Sequence, residues 1–92
     1  MIIDWSKRSK VVYLKFIDQT LENFSIKLAK EFIDDVDELI GRIKSDKELC
    51  PPSKIKNLRR CVVNVNISMI YKHTSTKIEI VTFLFNRCDH KY

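Results

Sequence analysis

Ninety-two residues carry apolar surface for one core and little for a second, so any active site has to share that core's scaffold. One Gly, two Pro and 45% hydrophobic residues exclude a disordered or low-complexity chain, and no apolar run approaches the roughly 20 residues that a membrane-spanning helix needs. The net charge of +5 is lopsided: Met1 to Glu48 holds nine Lys/Arg against ten Asp/Glu, whereas Leu49 to Tyr92 holds eight against two, a basic half suited to nucleic acid or an acidic protein segment.

Ile2, Ile3 and Trp5 predict a short opening strand, and Ser6 is placed to cap the free N–H groups of a following helix. Within Lys7 to Leu21, the residues Val11, Leu14, Ile17 and Leu21 recur at helical spacing, which predicts an amphipathic helix lying on the core by that face. Ser25 is a second cap, with Phe24 before it in position to pack back on the next helix. Ile26, Ala29, Ile33, Val36, Ile40 and Ile43 then step by threes and fours, so Ser25 to about Lys44 forms the second arm of a helical hairpin. Gly41 sits inside that arm, which is tolerable where two backbones approach closely or where the helix end frays.

Pro51 and Pro52 end the periodicity and mark Ser45 to Ser53 as a loop. From Lys56 onward β-branched and aromatic residues dominate, predicting strands at Cys61 to Val63, Ile67 to Tyr71 and Ile78 to Phe85. Val65 with Asn66, and Thr74 to Thr76, supply the turns. The last strand is apolar on both faces and belongs in the middle of its sheet. The resulting fold class is α+β: a short N-terminal strand, a helical hairpin and a three-stranded antiparallel meander in one domain, residues 1–92, with the helices on one sheet face and the other face partly open.

Cys50, Cys61 and Cys88 are odd in number and include no C-x-x-C pair, which predicts reduced, mostly buried thiols rather than a zinc site or a disulfide framework. His73 and His90 have no short-range partner spacing, so no metal or cofactor is indicated. The opening Met1-Ile2-Ile3-Asp4 has neither the basic segment nor the apolar stretch of an export signal, and the expected location is the cytoplasm.

Several local sequences, in order, resemble the RelE/ParE toxin superfamily along nearly the whole chain. They are Asp4-Trp5-Ser6, Phe32-Ile33, Pro51-Pro52 and Leu58-Arg59-Arg60, and more sharply Ile67-Ser68-Met69-Ile70-Tyr71, Ile78-Glu79-Ile80-Val81 and Asn86-Arg87-Cys88-Asp89. The resemblance implies a bacterial or archaeal growth-inhibiting toxin neutralised by a cognate antitoxin that wraps its sheet and helices in a hetero-oligomer. Members similar to RelE are ribosome-dependent mRNA endonucleases, whereas those similar to ParE poison DNA gyrase.

RNA cleavage requires several cations and an acid–base group to converge on a phosphate. The residues matching nuclease positions are Arg59 and Arg60 entering the sheet and Arg87 after it, with His90 and Tyr92 as late acid–base groups. Ser68 stands where the nuclease branch has an arginine and brings no charge, so the chain is expected closer to the ParE-like branch. Arg59, Arg60, Arg87 and Phe85 are then contacts for the target or the antitoxin. Tyr71 is expected to be a packing residue with a satisfied hydroxyl, and a module that binds antitoxin without toxicity is the third reading.

Overall fold

The computed structural model describes residues 1–88 and 91–92. In chain order it contains β1 (Ile2–Trp5), α1 (Lys7–Asn23), α2 (Ile26–Ser45), β2 (Arg59–Val62), β3 (Ile67–His73) and β4 (Lys77–Phe85). The expected α+β order is present, and β1 joins the meander as a fourth strand: the sheet order is β1-β4-β3-β2, with β1 parallel to β4 and the other pairs antiparallel. The apolar strand β4 is central.

Both helices start at the serines read as caps. The Ser6 side chain accepts from the Ser9 amide at 3.0 Å, and the Ser25 side chain accepts from the Leu28 amide at 3.1 Å, each satisfying an N–H left free by the first helical turn. Ser6 does a second job. Its hydroxyl donates to the Val81 carbonyl at 2.9 Å and its amide to the Ile80 carbonyl at 3.0 Å, fastening the start of α1 to β4.

That anchor lies at a bulge. Ile70 pairs with Thr82 but Tyr71 pairs with Ile80, leaving Val81 as the extra residue. The bulge resets the alternation, so that Ile78, Ile80, Phe83 and Phe85 share the helix-covered face, opposite the register partners His73, Tyr71, Met69 and Ile67. Without the bulge, simple alternation would put Ile80 and Phe83 on opposite faces.

The helix faces also differ from expectation. On α1 the core takes Ser9 and Phe16, with Val12, Tyr13 and Ile17 packed beside them, whereas Val11 and Leu14 are each 60% exposed and Leu21 44%. Aromatic area decides the rotation: Tyr13 meets Trp5, Phe32 and Phe83 at ring distances of 5.0–5.4 Å, and Phe16 stacks on Phe85 at 4.3 Å. Ser9, fully buried with its hydroxyl donated to the Ser6 carbonyl, leaves room for the helix to lie close to β4. On α2 the seam runs Ala29, Phe32, Val36, Leu39, Ile43, so Phe32 and Leu39 replace Ile33 and Ile40 as its centre, and Ile26 is exposed. Gly41 has open space where a Cβ would stand, so no close backbone approach accounts for it.

Cys50 and Cys61 form a disulfide, with Cα atoms 5.2 Å apart, and only Cys88 is a free, exposed thiol. The expected set of reduced thiols is corrected by the path of the proline loop. Pro51 accepts from the Arg60 amide at 3.1 Å and the Ser53 amide donates to the Leu58 carbonyl at 2.8 Å, laying the loop along the outer edge of β2 and setting Cys50 against Cys61. Tyr71, fully buried, donates its hydroxyl to the Lys47 carbonyl at 2.7 Å and ties the same loop to β3.

The sheet face away from the helices is partly open: Ser68, Ile70, Thr82 and Leu84 at its centre are buried, whereas Val62 at its edge is 69% exposed. Around them Lys72 pairs with Glu79 at 3.4 Å and Lys77 with Asp4 at 2.9 Å. No helix of the described residues is long and apolar enough to cross a membrane.

Candidate functional site

Strand alternation separates the two arginines that the sequence placed together. In β2, Arg59 and Cys61 stand opposite Tyr71 and Met69 on the helix side, while Arg60 and Val62 stand opposite Ile70 and Ser68 on the far side. Arg59 is turned inward: its guanidinium donates to the Cys50 carbonyl at 2.7 Å and lies 3.9 Å from the Glu48 carboxylate. Its side chain is 21% exposed, and it braces the disulfide loop from below.

Arg60 joins a polar cluster built on Asn86, just past β4. Its guanidinium donates to Asn86 Oδ1 at 3.4 Å, and the buried Ser68 hydroxyl donates to the same oxygen in a close contact. Asn86 Nδ2 donates to the carbonyls of Asn64 and Val65, each at 3.1 Å, and its amide donates to the Asn66 carbonyl at 2.8 Å. One side chain therefore locks the β2–β3 turn, β3 and the exit of β4 together. Ser68, expected from the resemblance to bring no charge, is thus a structural hydroxyl. The sequence offered no signal for the Asn86 hub beyond its place in the terminal motif.

Arg87 lies elsewhere again, on the rim of a cleft of about 550 Å³ between the tip of the helical hairpin and the β2–β3 turn. Phe32, Ile67 and Phe85 line it from the core side, Phe24 and Leu28 from the hairpin, and Val65 from the turn. Phe24 is 70% exposed, and so does not pack back on α2 as expected; it forms part of this wall. Glu31 and Asp35 of α2 supply acidic groups at the cleft, with Arg87 contributing the opposite charge. Of the predicted contact residues, Phe85 and Arg87 both line this cleft, Phe85 held there by its stack on Phe16.

Tyr92 is fixed through its backbone, its carbonyl accepting from the Lys54 amide at 3.0 Å, and its ring faces the Lys91 ammonium at 5.6 Å. His90 lies outside the described residues, as does Asp89, a candidate ion-pair partner for Arg87. Among the described residues no three His, Cys, Asp or Glu side chains gather to hold a metal ion.

The arrangement has an inward Arg59, an Arg60–Ser68–Asn86 cluster, and an apolar cleft with Arg87 at its rim, the cluster adjoining the cleft through the Asn86 bonds to Asn64 and Val65. Such a cleft is suited to seat apolar side chains of a peptide.

Solved structures share this fold. A chain of the chromosomal ParDE TA system from P. aeruginosa superposes with a TM-score of 0.77 at 14% identity, over 92% of this chain and 95% of that one. A YoeB/ParE toxin from Agrobacterium tumefaciens gives 0.68 at 12% identity, over 94% and 99%. The YoeB dimer structure from Staphylococcus aureus gives 0.64 at 15% identity, over 100% and 98%. The fold is that of the RelE/ParE toxins. No protein-family model and no curated protein matches the sequence. The likeness is one of fold, on a sequence that shares about one residue in seven with these chains.

Proposed function

We propose that this chain, acting as one domain in the cytoplasm, is the growth-inhibiting toxin of a toxin–antitoxin pair. In this reading it works in the ParE-like manner, by binding DNA gyrase or another macromolecule rather than by cutting RNA. The fold supports the toxin part of the reading. The opposite directions of Arg59 and Arg60 in β2 support the binding part, because phosphoryl transfer needs cations that converge on one phosphate.

The cleft supports the antitoxin part. Its apolar walls with both signs of charge at the rim suit a segment that inserts two or three apolar side chains and pairs its own charges with Glu31, Asp35 and Arg87. Induced expression without antitoxin is expected to arrest growth, and purified protein to inhibit gyrase supercoiling or trap DNA breaks. Unchanged growth would leave an antitoxin-binding module without toxicity. Intact gyrase activity would remove gyrase as the target.

A ribosome-dependent mRNA endonuclease is the second reading, favoured by the basic C-terminal half and by Arg60 on the far sheet face. Mapping of mRNA ends after induction decides it: new ends within translated messages would establish cleavage, and intact messages would remove it.

A further inference from the structure

The outward face of α1 carries a pattern that the fold does not use. Lys7, Val11, Leu14, Asp18 and Leu21 follow one another by fours and threes, the spacing of a coiled-coil seam. The rotation of α1 leaves this seam in solvent, with its three aliphatic residues about half exposed or more, while Ser9, Tyr13 and Phe16 face the core. Isolated surface aliphatics are ordinary, but three aligned along one helix face are a contact stripe.

Cations frame the stripe. Arg8 and Lys15 flank it on one side, Lys10 lies on the other, and Lys7 heads it; all four are exposed, and among the described residues none belongs to an ion pair. Lys7, Arg8 and Lys10 occupy the opening turns of α1, where the positive end of the helix dipole disfavours cations. The stability of the helix therefore does not account for them.

We propose that the outward face of α1 is a docking surface for an acidic amphipathic helix of a partner protein. That helix lays its own four–three apolar stripe on Val11, Leu14 and Leu21. Its flanking Glu or Asp side chains meet Arg8, Lys10 and Lys15, and a Lys or Arg stands against Asp18. In the antiparallel α1 pair that sets Val11 against Leu14, a second copy of this chain brings Arg8 beside Lys15 at both ends of the contact; with Lys15 on the two-fold axis instead, Lys15 meets Lys15 while Arg8 meets Glu22, so self-association is one of the outcomes the test reads. One helix on this seam buries less than the roughly 1,200 Å² of a stable complex. The partner therefore also holds on elsewhere, and the isolated helix binds weakly. The inference stands on α1 alone and does not depend on the toxin reading.

The probe is a synthetic helix of about three heptads with Leu along its seam, Glu at both flanks and one Lys placed to meet Asp18. Added at about 1 mM to the full isotope-labelled chain, it is expected to shift the amide resonances of α1 outward residues, with affinity falling at least tenfold between about 50 and about 500 mM salt. Leu14→Glu, on a side chain outside the core, is expected to keep the circular dichroism spectrum and lower the affinity at least tenfold. Leu28→Lys, in the cleft, is expected to leave the affinity unchanged. Absence of shifts, shifts centred on the cleft, equal binding of a Lys-flanked version, or self-association that Leu14→Glu abolishes would each overturn the proposal.

Discussion

Asn86 shows how much one uncharged side chain can hold. Its carbonyl oxygen takes the Ser68 hydroxyl and the Arg60 guanidinium, and its amide supplies two turn carbonyls. Asn86→Ala strands a fully buried hydroxyl, and the expected cost is about 2 kcal/mol by urea denaturation, in the range for an unpaired buried polar group. A loss below roughly 0.5 kcal/mol would mean that solvent takes over these bonds. Two tyrosines are protected differently. Burial, aided by Asp37 and Asp34, raises the Tyr13 phenol above its usual 10.0, and burial raises Tyr71 against the opposing pull of a backbone hydrogen bond from Cys50 and of Arg59. As pH rises the unfolded chain therefore ionises these groups first. Their contribution is complete below pH 10.0 and is lost as pH climbs through the folded-state values. The urea midpoint is expected to fall between about pH 9 and about pH 11, less steeply in Tyr71→Phe; a flat profile would contradict the linkage.

At the scale of elements, the strands and α2 were legible because one period dominates each. Val and Ile runs bounded by polar turns specify β2 to β4, and α2 has one apolar stripe, so its seam was misplaced by a single residue at Phe32 and Leu39. Helix α1 was not legible in the same way, since it has two apolar faces. Periodicity registers the aliphatic one, whereas the structure buries the aromatic one, whose partners Trp5, Phe32 and Phe83 come from three other elements. The bulge at Val81 and the disulfide are tertiary in the same sense. Cysteine spacing carried no sign that Pro51 would fold back on β2. The disulfide closes a separation of 11 residues and is expected to contribute about 3 kcal/mol in the loop-entropy view. Reductant should lower Tm of the native chain by more than about 10 °C and leave a Cys50→Ala/Cys61→Ala variant unmoved. An equal response in both would show that the pair is not the bond being reduced.

Over the whole molecule, the same alternation that builds the sheet sorts the arginines. Their sequence positions suggested one cationic site, but side-chain direction in β2 reverses between Arg59 and Arg60, and Arg87 follows the chain into the turn after β4. Groups that act on one phosphate are strongly non-additive, because removing the first disables the rest. Groups on separate surfaces contribute independently. In the binding reading, the effects of Arg60→Ala and Arg87→Ala on growth arrest, each measured by titrated induction, are expected to combine additively on a free-energy scale in the double variant. Arg59→Ala is expected to act through stability instead, since its guanidinium supports the Cys50 carbonyl beside the disulfide. It should lower the urea midpoint, and at equal levels of folded protein it should leave growth arrest intact. A double variant no worse than the worse single would place Arg60 and Arg87 in one machine, and would return the endonuclease reading to the front.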